Sequence, residues 1–415
     1  MTTSVTIDLA VSPRSRLPSL TGARWWAAVA VFVLHALVFL PVYPFQKSDL
    51  FRTIHWLVPM QLGAAGVTFF FVLSGFVICW SYRQGDSIGN FYRKRILKIY
   101  PTHILAAAVF VLAASVPLMR LVVWLPNLVL VHTWVPKSTT VGGLNVPSWS
   151  LCAEMLFYLS FPVLAPFVAR IPAARIGWAI AGLFVAILLL HTAFYIWADG
   201  PKGIANAFAP RLLPGDDSPE FEIHSSPAWF ARENIPVSPS YWLSYTFPLS
   251  RLPEFYLGVL VARLVAENRW RNTRMAPVLA SLCVAYAATW VVPVNYKMSV
   301  LMLLPMTALI ATVAMRDIRG ASRWSATPRM VWLGNVSYAF YMIQFPVMAI
   351  VTRVFIGGNR YSATGWLAWT AVVFALSLIA AAAIYRWVDM PIMTRWARPK
   401  SQEVALHSSR VDPAR

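Results

Sequence analysis

The sequence predicts an all-α polytopic membrane protein, a bundle of about ten transmembrane helices. Three observations carry that prediction. The 415 residues are 58% hydrophobic and only 12% charged, about half the charged share of an ordinary soluble domain. The apolar residues gather in blocks of about 17–25, the length of helix that crosses a hydrocarbon core of about 30 Å. Nineteen tryptophans and fifteen tyrosines suit aromatic belts at the two membrane–water interfaces.

The blocks fall at 24–40, 61–82, 101–118, 151–169, 176–197, 248–266, 275–292, 298–316, 331–354 and 364–388. They define a membrane domain over 24–392, with a polar segment at 1–23 and a polar tail, expected to be disordered, at 393–415. The first block has no small-residue cleavage site after it, so it reads as a retained helix and not as a signal peptide. A net charge of +19 is the size of a nucleic-acid signal, but the basic residues sit in short connections between apolar blocks. The stretches 83–98, 269–274 and 316–329 carry most of them, which places both termini in the cytoplasm of a multi-pass plasma-membrane protein. The expected partner is therefore the lipid bilayer and not nucleic acid. Cys79, Cys152 and Cys283 each lie in apolar surroundings and imply neither a disulfide framework nor a metal site.

Two segments assigned to the outside are long, 119–150 and 198–247. The second carries Trp229, Phe230, Tyr241 and Trp242, which favour a packed lid over a linker.

Candidate chemistry begins in the first block. Arg24 and His35 are eleven residues apart, so on a helix they lie within about 20° of one face and about 16 Å apart along the axis. Arg24 then marks an interface and His35 lies deep in the membrane. An ionisable group there is a functional candidate, although a packing histidine hydrogen-bonded to a neighbouring helix fits equally. The stretch GVTFFFVLSGF (66–76) offers Gly66, Ser74 and Gly75 for close helix approach. FYRKRILKIYP (91–101) reads as a cytoplasmic loop closed by Pro101, which starts the third span. Arg93, Lys94, Arg95 and Lys98 crowd into it, as a topology signal or a phosphate site would require. SWSLCAEMLFYLSFP (148–162) puts Glu154 in an apolar helix, where it needs a partner: His35, an arginine, the substrate or a structural ion pair. Cys152 beside it reads as inert. RLPEFYLG (251–258) spaces Arg251 and Glu254 as a helix-stabilising pair. LGNVSYAFYMIQFP (333–346) aligns Ser337, Tyr341 and Gln344 in a polar stripe, with Tyr338 alongside, facing the bundle interior. No nucleotide-binding loop or zinc-protease motif is present, which leaves His35, with Glu154, as the acid–base candidate.

Taken in order, these stretches resemble the acyltransferase-3 family of membrane-bound O-acyltransferases, from residue 20 to about 392. The resemblance implies no permanently bound cofactor and acyl-CoA, such as acetyl-CoA, as the donor. Its phosphates would be held by Arg93, Lys94, Arg95 and Lys98 with Arg24. His35 would act as general base on an acceptor hydroxyl, with Glu154 orienting the imidazole or balancing its charge. Arg251, Glu254, Tyr338, Tyr341, Trp229 and Trp242 are the candidates for acceptor binding. The acceptor expected is a small molecule such as a macrolide or its sugar. A surface polysaccharide or lipid-linked glycan is the alternative, and a membrane transporter is the alternative from another class. This chain departs from the family pattern at Gln344, where a histidine is common, at Lys94–Arg95, where paired arginines are common, and at Asp389, where glutamate is usual before Pro391. It is also expected to lack the appended esterase-like domain of some members.

The charge pattern makes a direct prediction. Reporter fusions after Leu50 and within 198–247 should report the outside, and fusions near Gly85 and at the C-terminus the cytoplasm. An outer C-terminus would overturn the assignment.

Overall fold

A computed structural model describes residues 15–40, 42, 44–58, 60–82, 87–114, 121–136, 144–198, 239–322, 324–357 and 359–397. The main helices are α1 (Pro18–Phe39), α2 (Asp49–Leu57), α3 (Met60–Ser81), α4 (Ile88–Ala114), α5 (Leu121–Leu128), α6 (Trp149–Ala169), α7 (Ile176–Trp197), α8 (Pro248–Ala266), α9 (Met275–Ala288), α10 (Val300–Ile318), α11 (Pro328–Val351), α12 (Ala363–Ile384) and α13 (Met390–Trp396). Prolines stand at the first turn of α1, α8 and α11, where the missing N–H breaks no hydrogen bond. The described residues contain no strand, only an isolated bridge between Pro44 and Tyr361. The protein is an all-α multi-pass membrane protein.

Among the described residues, eight helical segments are long and apolar enough to cross a bilayer. Two of the ten expected spans differ. The sixth, α8, carries Arg251, Glu254 and Arg263, and is enclosed by α3, α6, α7 and α10. It sits among protein neighbours and needs less lipid-compatible composition. The seventh, α9, has 14 residues, about 21 Å of helix, short of the hydrocarbon core. The third span also begins earlier than expected. The basic stretch is not a loop but the opening turns of α4, and Pro101 lies inside that helix. Nothing in FYRKRILKIY resists helix, and a proline within a membrane helix bends it without ending it.

The segment expected as an outer connection also folds inward. The side chains of Asn127, His132, Thr133, Asn145 and Ser148 are all fully buried. Hydrogen bonds satisfy part of this group. His103 Nε2 pairs with the Asn127 carbonyl at 2.9 Å, the Leu144 N–H donates to Asn127 Oδ1 at 3.3 Å, and Asn145 Nδ2 donates to the Met342 carbonyl of α11 at 2.9 Å. Residues 199–238, including Trp229, lie outside the described residues.

Helix α3 is the centre of packing, with α8 on one side and α1 on another. A methyl group at Gly75 would stand 1.8 Å from the Phe255 carbonyl oxygen, and one at Gly258 would stand 1.9 Å from that of Val72. The two backbones meet with no room for a side chain. Gly66 faces the Ala27 carbonyl and Gly63 faces Leu34, so α1 and α3 run antiparallel. On its other side α1 packs on α11 and α12, with Trp25–Phe340, Phe32–Phe374 and Phe39–Phe345 ring centroids 5.0, 5.1 and 5.0 Å apart.

The crossing of α3 and α8 yields a stability prediction. Gly75→Ala and Gly258→Ala should each destabilise by about 1–3 kcal/mol through overpacking. Gly182→Ala on α7, where an added methyl meets nothing within 4 Å, should not. Thermal unfolding of the purified protein in detergent checks the contrast.

Candidate functional site

Four helices enclose one cavity of about 70 Å³. Its polar lining comes from Arg24 on α1, Ser74 on α3, Ser150 and Glu154 on α6, and Ser337, Tyr338 and Tyr341 on α11. Val67, Phe70, Phe71 and Leu151 supply the apolar wall. The local reasons are simple. Ser150, Glu154 and Tyr158 recur every four residues, so α6 turns all three to one face. The α11 stripe does the same with Ser337, Tyr338 and Tyr341.

Glu154 Oε1 accepts hydrogen bonds from Tyr158 at 2.5 Å and Ser74 at 3.4 Å. Its nearby charges are Arg24 and Arg95. The Arg95 guanidinium stands over the Tyr158 ring at 5.7 Å and the Phe91 ring at 5.4 Å, and its buried Nε has no hydrogen-bond partner. Lys98, one turn further along α4, lies 5.4 Å over the Tyr338 ring and 3.6 Å from Asp389 Oδ2. Thr102, the next residue on that face, donates to Asp389 Oδ1 at 2.6 Å. Three cations, Arg24, Arg95 and Lys98, therefore face two carboxylates, Glu154 and Asp389. The excess positive charge suits an anion or a polarised carbonyl oxygen. Arg93 and Lys94 fall on other faces of α4, because successive helical residues turn by 100°.

Of the residues expected to act together, the structure joins Arg24, Glu154, Tyr338 and Tyr341, with Arg95 and Lys98 behind them. His35 is not among the cavity's lining residues. It is 8% exposed, packs edge-on against Phe39 at 5.3 Å, and has no partner for its Nδ1. The Leu34–Gly63 and Phe39–Phe345 contacts bracket its level, about a turn beyond Val67 and Tyr341 at the cavity's far end. The partners of Glu154 are hydroxyls and arginines. Trp242 donates from Nε1 to the Thr133 carbonyl at 2.8 Å and tilts against Phe247.

Arg251 and Glu254 form a buried ion pair. Both are fully buried, with Arg251 NH1 2.9 Å from Glu254 Oε1. Arg251 also reaches Thr68 Oγ1 at 3.3 Å, and Ser299 donates to Glu254 at 2.6 Å. The guanidinium sits over the Phe71 and Tyr245 rings, 5.2 and 5.3 Å from their centroids. Neither residue lines the cavity.

Sequence reasoning missed Ser150 and Tyr158, although their four-residue spacing from Glu154 was a usable signal. It also passed over His132, whose Nδ1 lies 3.2 Å from Cys152 Sγ and whose Nε2 lies 3.4 Å from Ser148 Oγ. Burial and the neighbouring His103 push the His132 imidazole down to about 3, so it stays neutral at physiological pH.

Residues 17–386 match the family model described as an acyltransferase domain. The chain belongs to this acyltransferase family. The acyltransferase is 34% identical over 376 residues to acyltransferase MdmB of Streptomyces mycarofaciens, covering 89% of this chain and 88% of that one. It is 24% identical over 364 residues to nodulation protein 10 of Rhizobium leguminosarum bv. viciae, covering 81% and 84% of the two chains. It is 34% identical over 143 residues to the exopolysaccharide production protein ExoZ of Rhizobium meliloti, covering 31% and 41%.

The buried pair sets a test for the acyltransferase. Arg251→Met strands Glu254 and should cost about 3–5 kcal/mol, whereas Arg251→Met with Glu254→Met should recover most of the loss. Unfolding in detergent measures both. Intact stability with lost acceptor binding would instead put the pair at the acceptor.

Proposed function

We propose that the protein is an acyl-CoA-dependent O-acyltransferase. It moves an acetyl or other short acyl group to a hydroxyl of a natural product such as a macrolide or its sugar. The observation that carries this reading is the convergence of Arg24, Ser74, Glu154 and Tyr341 on one cavity, in a chain of an acyltransferase family.

The donor's phosphates bind where Arg95, Lys98 and Arg24 gather, at the cytoplasmic end of the bundle, and the thioester reaches into the cavity. The acceptor oxygen attacks the thioester carbonyl carbon, the carbon–sulfur bond breaks, and CoA leaves as its thiol. A base takes the acceptor's proton and passes it to the departing sulfur. His35 is assigned that role, with Glu154 beside Arg24 balancing charge in the cavity. The Nδ1 of His35 is buried and unpaired, as is one ring nitrogen of His103 and of His191, and of these three His35 is the one on the helix that carries Arg24. Tyr338, Tyr341 and Trp242 serve the acceptor side.

Acylation of a glycan is the second reading. The likeness to an exopolysaccharide production protein favours it.

The test is incubation of the purified protein in liposomes with labelled acetyl-CoA and candidate acceptors, read by mass spectrometry. Transfer to a macrolide hydroxyl is expected. Transfer to a polysaccharide alone selects the second reading, and flux across the vesicle without transfer selects a transporter and overturns both. His35→Ala should lower turnover at least about 100-fold while CoA binding is kept. Arg95→Ala should weaken CoA binding more than acceptor binding.

A further inference from the structure

Five hydroxyl-bearing side chains line the cavity, and every one has its proton engaged by the protein. Ser74 donates to Glu154 at 3.4 Å, Ser337 to the Gly334 carbonyl at 2.7 Å and Tyr338 to the Ile99 carbonyl at 2.8 Å. Ser150 and Tyr341 share one acceptor, the Pro147 carbonyl, at 3.0 and 3.1 Å. These two hydroxyls also lie 2.9 Å from each other. That triangle of three oxygens holds two protons. If both point at Pro147, the Ser150–Tyr341 edge has none. If one points at Pro147 and the other bridges the edge, both are spent. Either way the pair offers the cavity lone pairs and no donor.

The remaining polar liners are the Glu154 carboxylate, an acceptor, and the Arg24 guanidinium, a donor. The cavity is therefore a surface of acceptors with one cationic donor group set at one place.

We propose that Ser150 and Tyr341 are specificity-determining residues that read an O–H or N–H donor on the bound substrate, while Arg24 takes its carbonyl oxygen. This inference rests on the acyl-transfer reading. Two substrate groups have that chemistry: a second, non-reacting hydroxyl of the acceptor, and an amide N–H of the donor's pantetheine arm. A substrate lacking the donor leaves the pair's lone pairs facing an apolar group in a water-poor site, which is where polar recognition discriminates most strongly.

The test is steady-state kinetics of wild type, Tyr341→Phe, Ser150→Ala and the double variant. The acceptors are the natural alcohol and an analogue with its neighbouring hydroxyl replaced by fluorine. The donors are acetyl-CoA and an analogue with a pantetheine amide replaced by an ester. The double variant should raise one KM by about tenfold, the size of one hydrogen bond, with kcat changed less. A rise in acceptor KM, with the fluorinated acceptor no longer penalised, places the acceptor hydroxyl at the pair. A rise in acetyl-CoA KM, with the ester analogue no longer penalised, places the pantetheine amide there. A general packing defect would lower kcat and the unfolding temperature without erasing either analogue's penalty, and that result overturns the proposal. Active wild type with both KM values unchanged in the double variant overturns it while leaving acyl transfer standing. Absence of transfer by wild type overturns both.

Discussion

Hydrocarbon offers no hydrogen-bond partner, so a polar side chain kept inside a membrane bundle must be satisfied by another group of the protein. Much of the interior is joined into polar networks. Arg251, Glu254, Thr68 and Ser299 form one network, Asp389 with Thr102 and Lys98 another, and Asn127 with His103 and Leu144 a third. Around the cavity positive charge is in excess. Arg24, Arg95 and Lys98 outnumber Glu154 and Asp389, the Arg95 Nε has no acceptor, and a turn further out the His35 Nδ1 has none either.

The wall of the site is held by helix contacts that leave little slack. Helix α3 lends Gly66 to α1 and Gly75 to α8, while its remaining face gives Val67, Phe70, Phe71 and Ser74 to the cavity. Backbones pressed together at glycines have no side chain to rearrange, so the liners inherit a fixed spacing. The charged start of α8 belongs to the same arrangement. Its guanidinium lies over Phe71, a cavity liner, and so braces the wall from behind.

Residues 144–148 pack inward against α11. Pro147 illustrates their part in the chemistry. Its carbonyl, freed from a regular helix, accepts from both Ser150 and Tyr341 and thereby decides which way two hydroxyl protons point.

Much of this was legible in the residues themselves. Apolar block length and charge placement specify a multi-pass helical bundle, because bilayer thickness sets helix length and charges avoid hydrocarbon. The stripe of Ser337, Tyr341 and Gln344 and the lone carboxylate of Glu154 in an apolar helix marked these residues as interior, whereas Arg24 was expected at an interface. What the sequence could not determine is which interior faces meet. Arg251 and Glu254 read as a helix-stabilising pair by spacing and as acceptor contacts by resemblance; they form a buried ion pair with each other, while Glu154 on α6 has Arg24 of α1 among its nearby charges. The basic stretch at 91–101 read as a loop because charge density resembles a connection; helical continuation through Pro101 sorts it into Arg95 and Lys98 facing inward and Arg93 and Lys94 elsewhere. Local spacing fixes the face of a helix on which a side chain lies, but its partner depends on the rotation and register of neighbouring helices, and those are decided by long-range contacts such as Gly75 against Phe255 that no local pattern encodes.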